Sequence, residues 1–325
     1  MSQPMAKRYY AISEYYKERF GEKVQKIPVS TATDCPNRLG LKGMETCAFC
    51  DVWGSAAYIE QREMDLSSQI VKYKEFLGTK YKVKTFLAYF QAYTNTFIGL
   101  PKLKQNFDLV LSDPQIQGII VGTRPDCISP AVLNLWKEFH QKTYLSVELG
   151  VQSFFEDQVK FLKRGHTVQD SIEAIKKIKT TIDLDLGIHL IFGTPGETEE
   201  TIIQTAEIVS SLPIDNVKLH NLHVLKNTHL EKLYLAGEFQ PIELDEYAEK
   251  VVLFLRHLHP RVRVHRLGAM SNRWDELLAP EWTRYKMGTY QYILDKIKYR
   301  DAHQGDRFKS LENAIHNRLE QHNYS

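Results

Sequence analysis

Short apolar runs alternate with amphipathic helical stripes along most of this 325-residue chain. A strand followed by a helix and a second strand is the repeating unit of a parallel sheet, so the pattern belongs to the α/β class. Six such units predict a partial (β/α)6 barrel of the TIM type with a small C-terminal α/β extension. The predicted strands are Lys26–Ser30, Val83–Phe90, Gly118–Val121, Leu145–Gly150, Leu184–Phe192 and Val217–Leu225. The predicted helices lie near Leu66–Leu77, Ala131–His140, Val168–Lys179 and Glu199–Leu212.

Unusual residues gather where the predicted strands end. Barrels of this type place their functional sites at the carboxyl ends of the strands. The residues found there are Cys35 after the first strand, Tyr89, Phe90 and Gln91 on the second, Arg124 after the third, Glu148 and Gln152 on the fourth, Gly193 to Glu197 after the fifth, and His220 to Thr228 on the sixth. This coincidence predicts one site at that face.

Three regions are expected. Residues 1–25, rich in tyrosine and charge, predict a helical extension packed on the outside of the barrel. Residues 26–237 form the barrel. Residues 238–325 predict a basic, mostly helical extension with a helix near Leu244–His257 and a short strand at Arg261–Leu267.

Charge and cysteine content narrow the possible partners and compartment. Residues 256–325 carry 13 lysines and arginines against 8 aspartates and glutamates, which suits either nucleic acid or plain solvation. No apolar run is long enough to cross a membrane, and there is no signal peptide. With only four cysteines, the expected compartment is the reducing cytoplasm.

Three of the four cysteines, Cys35, Cys47 and Cys50, lie within sixteen residues. Three thiolates can hold a four-iron cluster and leave one iron open, whereas a closed cluster takes four. Zinc is an alternative if a histidine or Cys127 supplies the fourth ligand. A disulfide is a further alternative, less suited to a reducing compartment.

Polar residues interrupt the apolar strands of the predicted barrel. Glu148 and Gln152 can bind the hydroxyls of a sugar or satisfy each other in the core. His189 and His220 can touch substrate or be satisfied core residues. Lys218 shares the parity of His220, so it can point inward as an acid or a carboxylate anchor.

The motifs, taken together, resemble one family of radical S-adenosylmethionine proteins, the YtqA/YhcC family. The resemblance rests on Cys35-Pro-Asn-Arg, Cys47-Ala-Phe-Cys50, Tyr89 to Thr96, Gly122-Thr-Arg-Pro-Asp126, Glu148 to Ser153, Arg164-Gly-His166, Gly193-Thr-Pro-Gly-Glu197, Lys218 to Leu225 and His265-Arg-Leu267. It implies a radical SAM barrel, a [4Fe–4S] cluster and S-adenosyl-L-methionine. The open iron of such clusters binds S-adenosylmethionine and reduces it to a 5′-deoxyadenosyl radical.

The resemblance also implies roles for particular residues. The metal ligands would be Cys35, Cys47 and Cys50. The residues binding S-adenosylmethionine would be Phe49, Tyr89, Phe90, Gln91, Glu148, Gln152, Arg164, Ile191, Gly193, Leu222 and Val224. The catalytic residues would be His189, Lys218 and His220. A low-potential electron donor such as flavodoxin or ferredoxin would be a partner.

Three of these motifs are similar to segments of the catalytic subunit of Elongator, which modifies the wobble uridine of tRNA. They are Gly122-Thr-Arg-Pro-Asp126, Gly150-Val-Gln-Ser153 and Arg164-Gly-His166. The resemblance implies tRNA as partner and conversion of a carboxymethylaminomethyl group on wobble uridine to aminomethyl. Two alternatives remain, namely a radical enzyme acting on a small metabolite and a zinc-stabilised RNA-binding module.

The sequence departs from the family pattern at four places. The loop before the second cysteine reads Gly43-Met-Glu-Thr46 where the family commonly has Gly-x-Gly-Gly, Asn37-Arg-Leu-Gly40 has leucine where aspartate is usual, and Phe97-Ile-Gly-Leu-Pro101 replaces an alanine-proline stretch. Cluster binding is expected to survive these changes. The glycine-glycine-glutamate that usually contacts the amino group of the cofactor is also absent, so Tyr89-Phe90-Gln91 would provide that contact differently.

Overall fold

A computed structural model describes residues 8–51, 54, 63–271 and 274–309. The ends of the two predicted extensions, residues 1–7 and 310–325, lie outside the described residues. Among the described residues, no helix combines the length and the apolar character needed to cross a membrane.

Seven parallel strands form one curled sheet, which confirms the predicted α/β partial barrel. Its strands, in sheet order, are β1 (Val24–Val29), β2 (Thr85–Phe90), β3 (Ile116–Thr123), β4 (Tyr144–Gln152), β5 (Asp185–Phe192), β6 (Asn216–Asn221) and β8 (Arg263–Val264). A second sheet pairs β7 (Val224–Leu225) with β9 (Leu277–Ala279) in antiparallel fashion. Because consecutive strands lie side by side, the carboxyl ends of all the barrel strands meet at one edge.

Most of the helices cover the outer face of the sheet. The helices are α1 (Ile12–Phe20), α2 (Leu66–Tyr81), α3 (Leu100–Leu111), α4 (Pro130–His140), α5 (Glu156–Phe161), α6 (Val168–Thr181), α7 (Glu199–Ser211), α8 (His229–Leu235), α9 (Leu244–His257) and α10 (Lys286–Tyr299). Leu230 of α8 packs in a separate small cluster with Leu222 and Val224. The sequence predicts α2, α4, α6, α7 and α9 within a few residues, whereas α3 is not among the predicted helices.

The predicted strand Val217–Leu225 is divided in the structure. The chain leaves the barrel sheet after Asn221 and joins the two-stranded sheet at Val224. The seventh barrel strand is β8, which comes from the C-terminal extension and pairs with β6 through Asn216–Arg263 and Val217–Val264. The barrel therefore contains one strand more than the six predicted, and the extension forms part of it.

The two faces of β2 pack into different clusters because side chains alternate along a strand. Phe86, Ala88 and Phe90 join the large outer core beneath the helices. Leu87 and Tyr89 face the inside of the barrel. Every residue of this strand is buried, as expected for a parallel strand covered on both faces.

Helix α1 packs inside the barrel. The sequence predicted this helix on the outside of the barrel, so that prediction was wrong. Its Ile12 and Tyr16 pack with the inward-facing Leu87 and Ile120. A curled sheet leaves an apolar interior at the amino ends of its strands, and the apolar side chains of this short helix fill it.

Helix α7 begins with a complete capping box, contrary to the incomplete one that its sequence suggests. Thr198 Oγ1 accepts a hydrogen bond from the Thr201 backbone N–H, and Thr201 Oγ1 accepts one from the Thr198 N–H. Threonine thus takes the role usually filled by glutamate or glutamine.

Candidate functional site

A cavity of about 270 Å3 opens at the edge where the barrel strands end. Its wall combines the cysteine loop, the ends of β2 to β6 and the segment that follows β8. The predicted residues on this wall are Cys35, Cys47, Phe49, Cys50, Gln91, Glu148, Gln152, Arg164, His189, Ile191, His220 and Leu222. The structure therefore brings most of the predicted site into one place.

All three clustered cysteines line this cavity. Burial raises the pKa of the Cys50 thiol to about 12, and the neighbouring Cys47 and Cys35 add to the rise. Thiols that disfavour one another's ionisation are stabilised as thiolates by a bound cation, so the donor set fits a metal cluster. Among the described residues, no three histidine, cysteine, aspartate or glutamate side chains converge closely enough to hold a single metal ion.

Cys47 receives two side-chain contacts that orient its sulfur. Arg164 Nη1 lies 3.2 Å from Cys47 Sγ, and Asn37 Nδ2 lies 3.4 Å from it. Asn37 Nδ2 is also within hydrogen-bonding distance of the backbone carbonyls of Glu45 and Lys163, at 2.9 and 2.8 Å. These contacts tie the cysteine loop to the turn between α5 and α6.

That turn is in turn fixed to the end of β4. Arg164 Nη2 donates to the Gly150 carbonyl at 2.9 Å, and Arg124 Nη2 donates to the Arg164 carbonyl at 2.8 Å. A Cβ at position 150 would lie 2.9 Å from Gln152 Nε2 and 3.1 Å from Arg164 Nη2, so glycine leaves room for this approach. Arg124 is held by a bidentate pair with Asp126.

A single buried carboxylate, Glu148, organises the floor of the cavity. Its side chain is 1% exposed. Oε1 accepts from Lys26 Nζ at 2.9 Å, and Oε2 accepts from Lys218 Nζ at 2.9 Å and from Tyr89 OH at 2.7 Å. His189 Nε2 lies 2.7 Å from Oε2. Because Lys26, Lys218 and Tyr89 already donate to the carboxylate of Glu148, it binds these residues and not Gln152.

Cationic surroundings keep the floor histidines neutral. Burial and then the positive charge of Lys218 lower the pKa of His189 to about 4, against the opposing effect of Glu148. The pKa of His220 falls well below its usual value because of burial and then of Arg266. The rings of His189 and His220 lie 5.0 Å apart, centroid to centroid. At neutral pH both rings are therefore hydrogen-bonding groups without charge.

Lys218 is itself perturbed. Burial lowers its pKa to about 7, the attraction of Glu148 opposes the fall, and repulsion from Lys26 and Arg266 adds to it. An amine with a pKa near 7 can exist in either protonation state close to physiological pH. Lys218 lies directly behind the cavity wall, joined to it through Glu148.

Besides Lys218, four predicted site residues lie away from the cavity wall, for different reasons. The ring of Phe90 faces the outer core and packs on Phe107. The Gly193 N–H donates to Glu197 Oε1, so it is already used. Val224 packs in a satellite cluster, and Tyr89 lies beneath Glu148. The predictions for these residues as cofactor ligands stay predictions.

Several residues of the site escape the sequence reasoning. Lys26 and His265 both reach Glu148 from the two ends of the sheet, and Lys26 Nζ lies 2.8 Å from His265 Nδ1. Arg266 reaches His220. The motif His265-Arg-Leu267 was a visible signal, but its place beside β6 depends on strand order, which the sequence does not give.

Two family profiles match the chain. The Radical SAM superfamily matches residues 29–209, and the Radical_SAM C-terminal domain matches residues 214–299. The boundary between the two matched segments lies between α7 and β6, within the barrel sheet.

Similar proteins extend over nearly the whole chain. The protein YtqA of Bacillus subtilis is 32% identical over 94% of each chain. The protein YhcC of Escherichia coli is 35% identical over 81% of this chain and 84% of its own. A tRNA uridine(34) acetyltransferase of Methanocaldococcus infernus is 33% identical over 46% of this chain and 28% of its own.

The fold is also found in a solved structure. The Elp3 protein of Methanocaldococcus infernus, with its N-terminus deleted, superposes with a TM-score of 0.66 at 19% identity, over 86% of this chain and 64% of that one. This similarity concerns the fold. Together with the profile over residues 29–209 and the relatives at 32–35% identity, it identifies the chain as a member of the radical SAM superfamily, in the family of YtqA and YhcC.

Proposed function

We propose that this radical SAM enzyme acts on tRNA and converts a carboxymethylaminomethyl group on the wobble uridine to an aminomethyl group. The observation that carries the proposal is the 33% identity to a tRNA uridine(34) acetyltransferase over 156 residues. Three motifs shared with such enzymes lie around the cysteine loop, at Arg124, Gly150 and Arg164. Arg164 contacts the sulfur of Cys47, and Gly150 and Arg124 hold Arg164 in place, so all three support the cysteine loop.

In this proposal Cys35, Cys47 and Cys50 would hold the [4Fe–4S] cluster, and S-adenosylmethionine would bind in the cavity that they line. The chemistry that the two would supply together when bound is a 5′-deoxyadenosyl radical, which takes a hydrogen atom from the substrate. Cleavage of S-adenosylmethionine to methionine and 5′-deoxyadenosine would make it the two-electron oxidant, and hydrolysis of the oxidised carbon–nitrogen bond would release the carboxymethyl carbons as glyoxylate and leave the amine. Low-potential flavodoxin or ferredoxin would be the electron donor. Cys127 is not part of the set.

The chain itself contributes position and enclosure. Arg164 and Asn37 hold the sulfur of Cys47, and the apolar Ile191 and Leu222 line the cavity and exclude water from it. Phe49 lies with its ring centroid 5.9 Å from the Arg164 guanidinium, which places an aromatic face beside the loop. A wall of this composition shields a reactive radical from solvent.

The first experiment is anaerobic reconstitution followed by assay of 5′-deoxyadenosine with dithionite and S-adenosylmethionine. We expect about four irons per chain, as a single four-iron cluster requires, together with deoxyadenosine formation. Both should be lost in the Cys47→Ala protein and retained in Cys127→Ala, the matched control cysteine. Zinc in place of iron, with no deoxyadenosine, would support an RNA-binding module instead.

The second experiment tests the substrate. The reconstituted enzyme is incubated with tRNA that carries carboxymethylaminomethyluridine at the wobble position, and the nucleosides are analysed by mass spectrometry. We expect aminomethyluridine to appear in proportion to deoxyadenosine. Deoxyadenosine without any change in the tRNA would overturn the tRNA assignment and favour a small-molecule substrate.

A further inference from the structure

The floor of the cavity holds more positive than negative charge. Lys26 and Lys218 both contact Glu148, the only carboxylate bound to them among the described residues, and the guanidinium of Arg266 contacts His220, whose ring lies 5.0 Å from that of His189. Uncompensated charge inside a protein is costly, because the interior solvates it poorly. The imbalance indicates that a further anion belongs at this floor.

Of these three cations, Arg266 is the one for which the described residues supply no carboxylate partner. Its Nε donates to the Leu219 carbonyl at 3.3 Å, and its Nη2 lies 2.7 Å from Nδ1 and 3.0 Å from Nε2 of His220. Burial lowers the pKa of Arg266, as expected for a guanidinium held away from water. Arg266 is thus fixed behind a residue of the cavity wall.

His220 lines the cavity and contacts Arg266 with the edge of its ring. Its two ring nitrogens lie 2.7 and 3.0 Å from Arg266 Nη2, and the neutral ring carries one N–H that can donate to a ligand. A positive charge behind a neutral donor strengthens the attraction of that donor for an anion.

Asn221 supplies a second donor on the same wall. Its Oδ1 accepts from the Ala269 backbone N–H at 3.0 Å, whereas its Nδ2 is buried with no partner among the described residues. Both Asn221 and Ala269 line the cavity beside His220. An unused buried donor costs free energy, so a ligand oxygen at this position would be stabilising.

We propose that Arg266, His220 and Asn221 form a subsite for a carboxylate group of the substrate. The identification of that group as the carboxymethylamino carboxylate of a modified uridine rests on the proposed function. The excess of charge and the unused donor do not depend on it. The carboxylate of S-adenosylmethionine is the other source of the same chemistry, and the experiments below separate the two.

The first test uses a small probe and needs no tRNA. Sarcosine carries the same carboxymethylamino group, and sarcosinamide is its uncharged counterpart. With cluster and S-adenosylmethionine bound, sarcosine should raise the melting temperature of wild-type protein and of Arg266→Lys, since a ligand that binds only the folded state stabilises it. Sarcosinamide should not. The Arg266→Gln protein should show no shift with either.

The second test uses anticodon stem-loop RNA with carboxymethylaminomethyluridine or with its carboxamide analogue at the wobble position. We expect wild-type protein to bind the carboxylate RNA about tenfold more tightly, the loss typical of one hydrogen bond to a charged group. Arg266→Gln should remove this preference while binding the carboxamide RNA as before. Arg300→Gln, an exposed arginine paired with Glu249, is the control and should keep the preference.

The outcomes test separately the subsite, the source of the carboxylate and the proposed function. Absence of any sarcosine shift in folded wild-type protein would overturn the subsite, as would equal weakening of both RNAs in Arg266→Gln. Loss of S-adenosylmethionine affinity in Arg266→Gln, with the carboxylate preference intact, would assign the anion to the cofactor. Preferential binding of the carboxylate RNA without its conversion would retain the subsite and refute the proposed function.

Discussion

The outer and inner faces of the barrel sheet differ in what their residues contact, although they alternate along the same strands. On β4, Leu149 points into the apolar core beneath the helices, while the preceding Glu148 points into the charged floor. The outer face is stabilised by close packing of side chains that are interchangeable in kind. The inner face depends on particular partners, since Glu148 is buried and Lys218 nearly so, and Lys26 is only partly exposed.

Two equally buried side chains on one strand can therefore contribute to stability in different ways. Removing an outer side chain leaves a void whose cost depends on volume. Removing an inner side chain leaves its partners charged and unpaired. Variants on the two faces should therefore differ in how their stability depends on pH.

The Glu148→Ala protein should lose about 3–5 kcal/mol of unfolding free energy at pH 7, because it leaves Lys26 and Lys218 without their carboxylate. The pKa of Glu148 is lowered well below its usual value in the folded protein, despite burial, by Lys218 and Lys26. Its contribution is therefore present above the unfolded pKa and lost as pH falls through the folded pKa. Chemical denaturation at several pH values measures it.

Leu149→Ala is the matched outer-face variant. It should cost about 2–5 kcal/mol through cavity formation, with a difference from wild type that does not change between pH 3 and 7. If the Glu148→Ala difference were equally constant on acidification, the charged inner face would not act as described.

Arg164→Gln should lower the reduction potential of the cluster. The substitution removes a positive charge and a hydrogen bond from Cys47 Sγ, both of which favour the reduced state. We expect a shift on the order of 50 mV, since about 1 kcal/mol corresponds to that in a one-electron couple. Potentiometric titration followed by electron paramagnetic resonance gives the value.

Lys163→Gln is its control, because Lys163 forms a surface pair with Glu45 and its side chain is not among the groups that contact Cys47. Its potential should match that of wild type. Equal shifts in the two variants would show that loop disturbance, rather than the contact to sulfur, sets the potential.

Lys218 and Lys250 should respond to pH in opposite ways. The folded pKa of Lys218 is about 7, below its unfolded value, so the wild-type protein gains stability relative to Lys218→Met as pH rises from about 7 toward 10. Lys250 is paired with Glu197, and its pKa is raised, despite burial, by that carboxylate. Its contribution is fully present below the unfolded pKa and is lost only as pH rises through the folded pKa.

Urea titrations of Lys218→Met and Lys250→Met across this range test the contrast. Between pH 7 and 9 the Lys250→Met difference should stay flat while the Lys218→Met difference changes. Parallel curves for the two variants would contradict the assignment of Lys218 to a cation-rich interior.

Thr198→Ala should have the smallest effect, a loss of about 1 kcal/mol from the amino end of α7. The capping box lies at the surface of the outer layer, so cluster content and deoxyadenosine formation should equal those of wild type. Thermal unfolding and iron analysis of the same preparation check both statements. A loss of iron would mean that α7 and the cysteine loop are coupled.

Local patterns made the outer layer predictable. Helix α9 matches its predicted limits, Leu244–His257, because its apolar residues recur at helical spacing. The cysteine loop was equally visible, since its residues are close in sequence. Arg164 was predicted as a site residue, but its contact with Cys47 was not, because the two residues lie 117 positions apart.

The floor could not be assembled from the sequence for a physical reason. Lys26 and His265 stand 239 positions apart, yet Lys26 Nζ lies 2.8 Å from His265 Nδ1. Their meeting depends on β8 joining the sheet next to β6. The sequence predicts a strand at Arg261–Leu267, but it does not show with which strand that segment pairs. Helix α1 was misplaced for a similar reason, because its destination is the inside of a barrel that later residues complete.

The joining of β8 also bears on how the protein is made. Ala11 bridges to Val264 and Gln304 donates to the Arg8 carbonyl, so the first described residues are secured by some of the last. During synthesis the strands up to β6 emerge well before this partner exists, and the free side of β6 is an unpaired edge in the meantime. A chain whose synthesis stops between residues 221 and 263 would therefore expose the edge of β6 to pairing with strands of other chains.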